Sequence, residues 1–257
     1  MPGVAGFSDD PGRRADVEVW AYDAATVVLR QSIRTHFEAP FMYLLVGRER
    51  ALLVDTGTGD ADVRGAVDHV LAALGHDVEL VVAHTHGHSD HVGGDASFSS
   101  RPRTTVVGHR LEAVEETFSM SLGQGAIDLG ARVVEVLAVP GHEPSHVAFY
   151  DRTAGLLLTG DVLYPGRLYV REWDVYRESI ARLVRFVDDA RPVRHVVGSH
   201  VELTEAGEEL MAGASSHPDE RFHALGEHHL RELASRLARL EEPVRMAARD
   251  FVIVPVD

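Results

Sequence analysis

The segment His84-Thr85-His86-Gly87-His88-Ser89-Asp90-His91 limits what this chain can fold into more than any other stretch. It follows directly on the run 79–83, ELVVA, whose apolar and β-branched residues read as a strand. Four imidazole or carboxylate side chains between positions 86 and 91 are too many ionisable groups to gather for packing alone, because a desolvated charge needs a partner or a metal. His86 and His88 lie two apart on an extended loop and can aim at one point. Asp90 and His91 are adjacent where the chain turns into a helix, so they point in different directions and suit a second ion beside the first. The fold must therefore open a strand end into a loop with room for metal ligands.

The remaining pattern says what kind of fold surrounds that loop. Short apolar runs bounded by turn residues read as strands at 17–22, 25–29, 41–46, 51–54, 104–107, 132–139, 146–150, 155–158, 193–197 and 251–254. Helical spacing of apolar residues predicts helices at 60–74, closed by Gly75, and at 92–98, 111–118, 175–190, 204–211 with Thr204 as N-cap, and 225–240. Strands in series with interspersed helices predict a layered α/β fold. Residues 1–15, rich in Gly, Pro and Asp, read as a flexible tail, and 214–257 as a C-terminal extension that can serve as a lid or a dimer surface. No linker divides the 257 residues, so a single domain over 1–257 is expected.

Composition removes whole classes of function. The chain has no Cys, which excludes disulfides, iron–sulfur clusters, Cys-ligated zinc and a Cys nucleophile. The formal net charge is −15 and all 25 basic residues are Arg. Such a surface repels nucleic acid and anionic lipid at long range, so neither is an expected partner. No stretch approaches the roughly 18–20 apolar residues of a membrane span, and the N-terminal stretch has no apolar export signal. A cytoplasmic location is the expectation, with a small molecule as the partner and a homodimer as a possible assembly.

Three later positions share the context of the first run. Pro140-Gly141-His142, Thr159-Gly160-Asp161 and Gly198-Ser199-His200 each place a small residue before a ligand-type residue just past a predicted strand. Loops at one edge of a layered sheet converge on one site. His86-x-His88-x-Asp90-His91, then His142, Asp161 and His200, in this order, resembles the metallo-β-lactamase superfamily. Asp55-Thr56-Gly57 after an apolar strand resembles its early Asp motif, and Pro140-Gly141-His142-Glu143-Pro144 its Pro-Gly-His-x-Pro segment.

The resemblance implies a four-layer αββα sandwich with metals at one sheet edge, here with a short C-terminal helical extension. It implies a first metal held by His86, His88 and His142, a second held by Asp90, His91 and His200, and Asp161 bridging them. Asp55 would orient a ligand loop through hydrogen bonds. The donors are all N and O, which suits two divalent ions, zinc first, with iron or manganese also compatible. Two such ions, less Asp90, Asp161 and a bridging hydroxide, leave roughly one net positive charge for a developing oxyanion. The activity implied is attack of that hydroxide on a thioester, lactone or related acyl centre, with Asp90 orienting the nucleophile. A phosphoester hydrolase, or an iron-dependent oxygenase of the same fold, is the alternative. Tyr164, three residues past Asp161, resembles a Tyr that helps bind the substrate carbonyl in lactonase members, while the run 161–167, DVLYPGR, also resembles the hydroxyacylglutathione hydrolase branch. His84 and His146 read as hydrogen-bonding residues outside the ligand set, and His228-His229 as surface residues of a solvated helix.

Overall fold

The computed structural model describes residues 16–217 and 219–256, and the expected tail at 1–15 lies outside them. The chain divides into two compact units. One holds the chain up to His84, His88–Gly108 and Asp128–Arg132; the other holds Thr85–Gly87, His109–Ile127 and Val133 onward.

The first unit is built on six strands: β1 (Val17–Ala21), β2 (Thr26–Gln31), β3 (Phe41–Val46), β4 (Arg50–Val54), β5 (Glu79–Ala83) and β6 (Thr104–Val106), paired in that order. The first four run antiparallel, and β4, β5 and β6 run parallel. All six residues of β3 are buried, as a strand covered on both faces requires. Helix α1 (Val63–Ala73) starts where the Asp62 side chain accepts a hydrogen bond from the Gly65 amide. It ends before Gly75, whose φ of +71° the chain needs to leave the helix. Its Val63, Val67, Val70 and Leu71 pack with Met42, Leu44, Leu53, Leu80 and Val82 into one core. Phe98 joins this core from α3 (Asp95–Ser99), which follows the single turn α2 (Ser89–Val92). The sequence pattern predicts one helix at 92–98; the structure has two short ones, separated at Gly93-Gly94.

The second unit contains α4 (Leu111–Thr117), β7 (Gln124–Asp128), whose last residue belongs to the first unit, β8 (Val133–Ala138), β9 (Val147–Asp151), β10 (Leu156–Gly160), β11 (Arg167–Val170), α5 (Trp173–Asp188), β12 (His195–Gly198), β13 (Ala224–Leu225), α6 (Glu227–Leu237), β14 (Met246–Ala247) and β15 (Val252–Pro255). Its main sheet has the order β13-β12-β10-β9-β8-β7, and β11-β15-β14 form a small sheet. Tyr176, Ile180, Leu183 and Val187 of α5 and Leu230, Leu233 and Leu237 of α6 pack with Leu137, Tyr150, Leu157 and Val196 of the main sheet. Just before β7, Leu122 and Gly123 form a two-residue turn with φ of +52° and +77°, closed by reciprocal hydrogen bonds between Ser121 and Gln124. The Leu122 side chain is 99% exposed.

One expectation fails here. Residues 204–211 form turns and not a helix. The Thr204 hydroxyl accepts the Glu208 amide, four residues on and beyond N-cap spacing, Gly207 at φ +84° turns the chain out, and Leu203 bridges to Glu209. The C-terminal stretch carries both the expected helix, as α6, and the expected last strand, as β15, which pairs in parallel with β11; Phe251, Val252 and Ile253 are buried. Among the described residues no helix is long and apolar enough to cross a membrane.

Candidate metal centre

In the second unit, three strand ends and one loop bring His86, His142, Asp161 and His200 together. The Thr85 carbonyl accepts the Val147 amide, which ties the His86 loop to the start of β9. His142 follows β8, Asp161 follows β10 and His200 follows β12. Gly160 has φ +53°, and a methyl group on it would lie 2.7 Å from the Thr85 side chain and 2.8 Å from the His146 ring. Only glycine permits the chain to present Asp161 there.

The carboxylate of Asp161 faces imidazoles with both oxygens. Its Oδ2 lies 3.8 Å from His86 Nε2 and 3.5 Å from His142 Nε2, and its Oδ1 lies 3.4 Å from His200 Nε2. The donor atoms of His86, His142 and Asp161 all fall within 4.8 Å of one another. The supporting contacts are specific. His142 Nδ1 is 2.8 Å from the Tyr169 carbonyl of β11. A carbonyl only accepts, so Nδ1 carries the proton and Nε2 presents a lone pair toward Asp161. His146 Nε2 accepts the Asp161 amide at 3.2 Å, and its ring stacks on His86 at 4.6 Å.

In the first unit, His88 precedes α2, and Asp90 and His91 lie on it. Asp55, at the end of β4, adopts φ +67° and is buried. Its Oδ2 is 2.9 Å from His91 Nδ1, while His91 Nε2 is 3.2 Å from Asp90 Oδ2. The carboxylate of Asp55 accepts a hydrogen bond from Nδ1–H, so in the neutral ring Nε2 turns a lone pair toward Asp90. The Thr56 amide and hydroxyl both donate to the His91 carbonyl. Asp95 then accepts from the same hydroxyl at 2.9 Å and from His84 Nε2 at 2.8 Å. His84 is thereby a buried hydrogen-bonding residue and not a ligand.

The donor set fits a divalent metal. In both units a neutral imidazole of this tautomer would set a lone pair against a carboxylate oxygen, an arrangement that a cation between the two would stabilise. The separations of 3.2–3.8 Å bracket the edge of about 3.3 Å expected between ligands at ~2.0–2.1 Å from a tetrahedral ion.

Tyr164 is placed differently from a residue awaiting a substrate. It is 2% exposed, and its hydroxyl donates to the Arg167 carbonyl at 2.5 Å with Glu202 Oε2 at 3.1 Å. Burial first, then the Glu202 charge, pushes its phenol well above the ordinary value, so it stays a neutral donor. Its ring packs edge-on against His200, with centroids 5.6 Å apart. His229, read from sequence as a surface residue, is buried instead: its Nδ1 accepts the Gly226 amide at 2.9 Å and its Nε2 is 3.2 Å from Asp250. Sequence reasoning missed Glu202, Asp95 and the Tyr169 carbonyl. A Glu two residues past a ligand was the one available signal, since a backbone carbonyl carries no residue identity.

Residues 37–200 match the family model described as Metallo-beta-lactamase superfamily. The hydroxyacylglutathione hydrolase of Anaeromyxobacter dehalogenans is 36% identical over 125 residues, 48% of this chain and 46% of that protein. That of a Synechococcus species is 37% identical over 120 residues, 44% and 46% of the two chains. The chain thus spans about half the length of the curated relatives it matches. Among solved structures, a metallo-β-lactamase from Erythrobacter litoralis is similar with a TM-score of 0.64 at 16% identity, over 89% of this chain and 99% of that one. One from Pontibacter korlensis has a TM-score of 0.61 at 17% identity, over 87% and 100%. The family match covers most of the chain, from residue 37 to residue 200, and the solved structures share the α/β fold of two sheets with helices: this chain belongs to the metallo-β-lactamase superfamily.

Proposed function

We propose that this chain is a dinuclear metal hydrolase of small acyl substrates, thioesters or lactones. The observation that carries the reading is Asp161, whose Oδ2 faces His86 and His142 while its Oδ1 faces His200. In this reading His86, His88 and His142 hold one divalent ion, Asp90, His91 and His200 hold the other, and Asp161 serves both. Zinc is the ion the N and O donors suit first. Bound there, such ions supply Lewis acidity and a water ionised near pH ~7.

The chain's own residues do the rest. Asp55 and the Tyr169 carbonyl fix the tautomers of His91 and His142, so that each presents a lone pair without rearrangement. Asp90 would hold one ion and orient the nucleophile that the ions supply. Tyr164, with its hydroxyl engaged by Arg167 and Glu202, acts by packing on His200 and not as an oxyanion donor. The hydroxyacylglutathione hydrolases among the relatives favour an acyl centre bound to sulfur over a phosphoester.

The test is elemental analysis of the purified protein, followed by turnover of thioesters, lactones and phosphodiesters with added zinc or manganese. Two ions per chain and cleavage of an acyl substrate are the expected result. A single ion, or iron with oxygen consumption and no hydrolysis, would overturn it.

A further inference from the structure

In the second unit a half-buried ionic cluster stands behind Tyr164, and its task is not set by the hydrolytic reading alone. Glu202 and Arg167 pair through Oε1 and Nη2 at 2.7 Å, with side chains only 17% and 15% exposed. The other carboxylate oxygen, Oε2, accepts the Arg167 amide at 2.7 Å and lies 3.1 Å from the Tyr164 hydroxyl. All of this converges on one aromatic ring. A methyl group at Gly166 would lie 2.2 Å from that ring, and one at Gly198 would lie 2.4 Å from its Cβ. Two glycines thus make room for Tyr164, two polar groups grip its hydroxyl, and its ring meets the edge of His200. Glu202 itself is two residues past His200, and Tyr164 three past Asp161.

A surface ion pair needs no such enclosure. Taking a carboxylate partly out of water is costly, and replacement of such a pair by apolar residues is often neutral or stabilising, so stability alone is a weak reason for this cluster. Its geometry suits a different task. We propose that Glu202, through Arg167 and Tyr164, is a positioning residue that sets the His200 imidazole for the ion this histidine holds. The proposal rests on the two-ion reading. Its specific content is selectivity: the cluster touches His200, while His142 is oriented separately by the Tyr169 carbonyl. Disturbing Glu202 therefore weakens one ion and spares the other.

The experiment uses the full chain, loaded with Zn2+ and separately with Co2+. Both affinities are resolved by competition with a chromophoric chelator, and the Co2+ absorption spectrum is recorded. In Glu202→Gln one ion is expected to bind about 10–100-fold more weakly, the range for loss of a group that orients a ligand. The binding profile and spectrum should reproduce those of His200→Ala and not those of His142→Ala, and Glu202→Asp should recover part of the loss. Tyr164→Phe, which keeps the ring and deletes only the gripped hydroxyl, should shift the same ion in the same direction. It decides the matter should Glu202→Gln fail to fold. Two ions bound by the wild type, with both affinities unchanged or equally weakened in these variants, would overturn the positioning role alone. A wild type that binds one ion would overturn the dinuclear reading and the proposal with it.

Discussion

Asp161 is the residue on which most of the proposed site depends, because its Oδ2 faces His86 and His142 and its Oδ1 faces His200. Asp161→Ala is expected to lower bound metal to one ion or less per chain and to cut turnover by at least about 10³-fold, read by elemental analysis and kcat. Asp55→Asn tests the neighbouring principle. Asn tolerates the left-handed backbone at this position but loses the charge that holds the His91 Nδ1 proton. The expected outcome is about 10–100-fold weaker binding of one ion, measured by chelator competition, with little change in the fold by circular dichroism. His229 gives a pH prediction. Burial, then His228, lowers its affinity for a proton against the opposing pull of Asp250. The unfolded chain takes up a proton near pH ~6.5 that the folded chain refuses, so stability falls as pH drops through that value. Urea midpoints from about pH 8 to about pH 5 should show a shallower acid-side fall in His229→Gln than in the wild type. The proposed ligand residues stood out in the sequence because they lie on the short segments that follow β5, β8, β10 and β12. His229 and Glu202 did not, since their burial is decided by Asp250 and Arg167, 21 and 35 residues away in the chain.

At the scale of elements, periodicity located α1, α5, β3 and β5 within a few residues, since each has a long or fully apolar pattern. It failed where pairing partners lie far apart. β11 has four residues and reads as part of an aromatic loop until β15, more than 80 residues later, supplies its partner. It failed again at 204–211, where a helix-start hydroxyl and Glu-rich composition were overruled by one turn at Gly207. The pairing of β11 with β15 matters to the site because the Tyr169 carbonyl that orients His142 lies on β11. Ile253→Ala, at a fully buried position of β15, is expected to cost about 2–5 kcal/mol in chemical denaturation. It should also weaken metal binding, although Ile253 is not itself a ligand.

For the molecule as a whole, metal and fold are linked. Ligands pre-oriented by hydrogen bonds bind ions in the folded state far better than in the unfolded chain, so chelation is expected to lower the thermal midpoint and added zinc to restore it. At ion concentrations about 100-fold above Kd the link is ~2.7 kcal/mol, or roughly 5–10 °C for a chain of this size. Scanning calorimetry with and without chelator measures it; identical midpoints would contradict any specific site. The same sensitivity has a practical side at the turn before β7. Leu122 stands at positive φ with its side chain wholly in solvent, where a type I′ turn favours Asn before Gly. The leucine at this turn suits neither its backbone conformation nor the solvent around it. Leu122→Asn is thus a ready engineering step, expected to add about 0.5–1 kcal/mol and improve solubility without touching a ligand. A sturdier scaffold of that kind would carry the more damaging metal-site variants through purification and crystallisation.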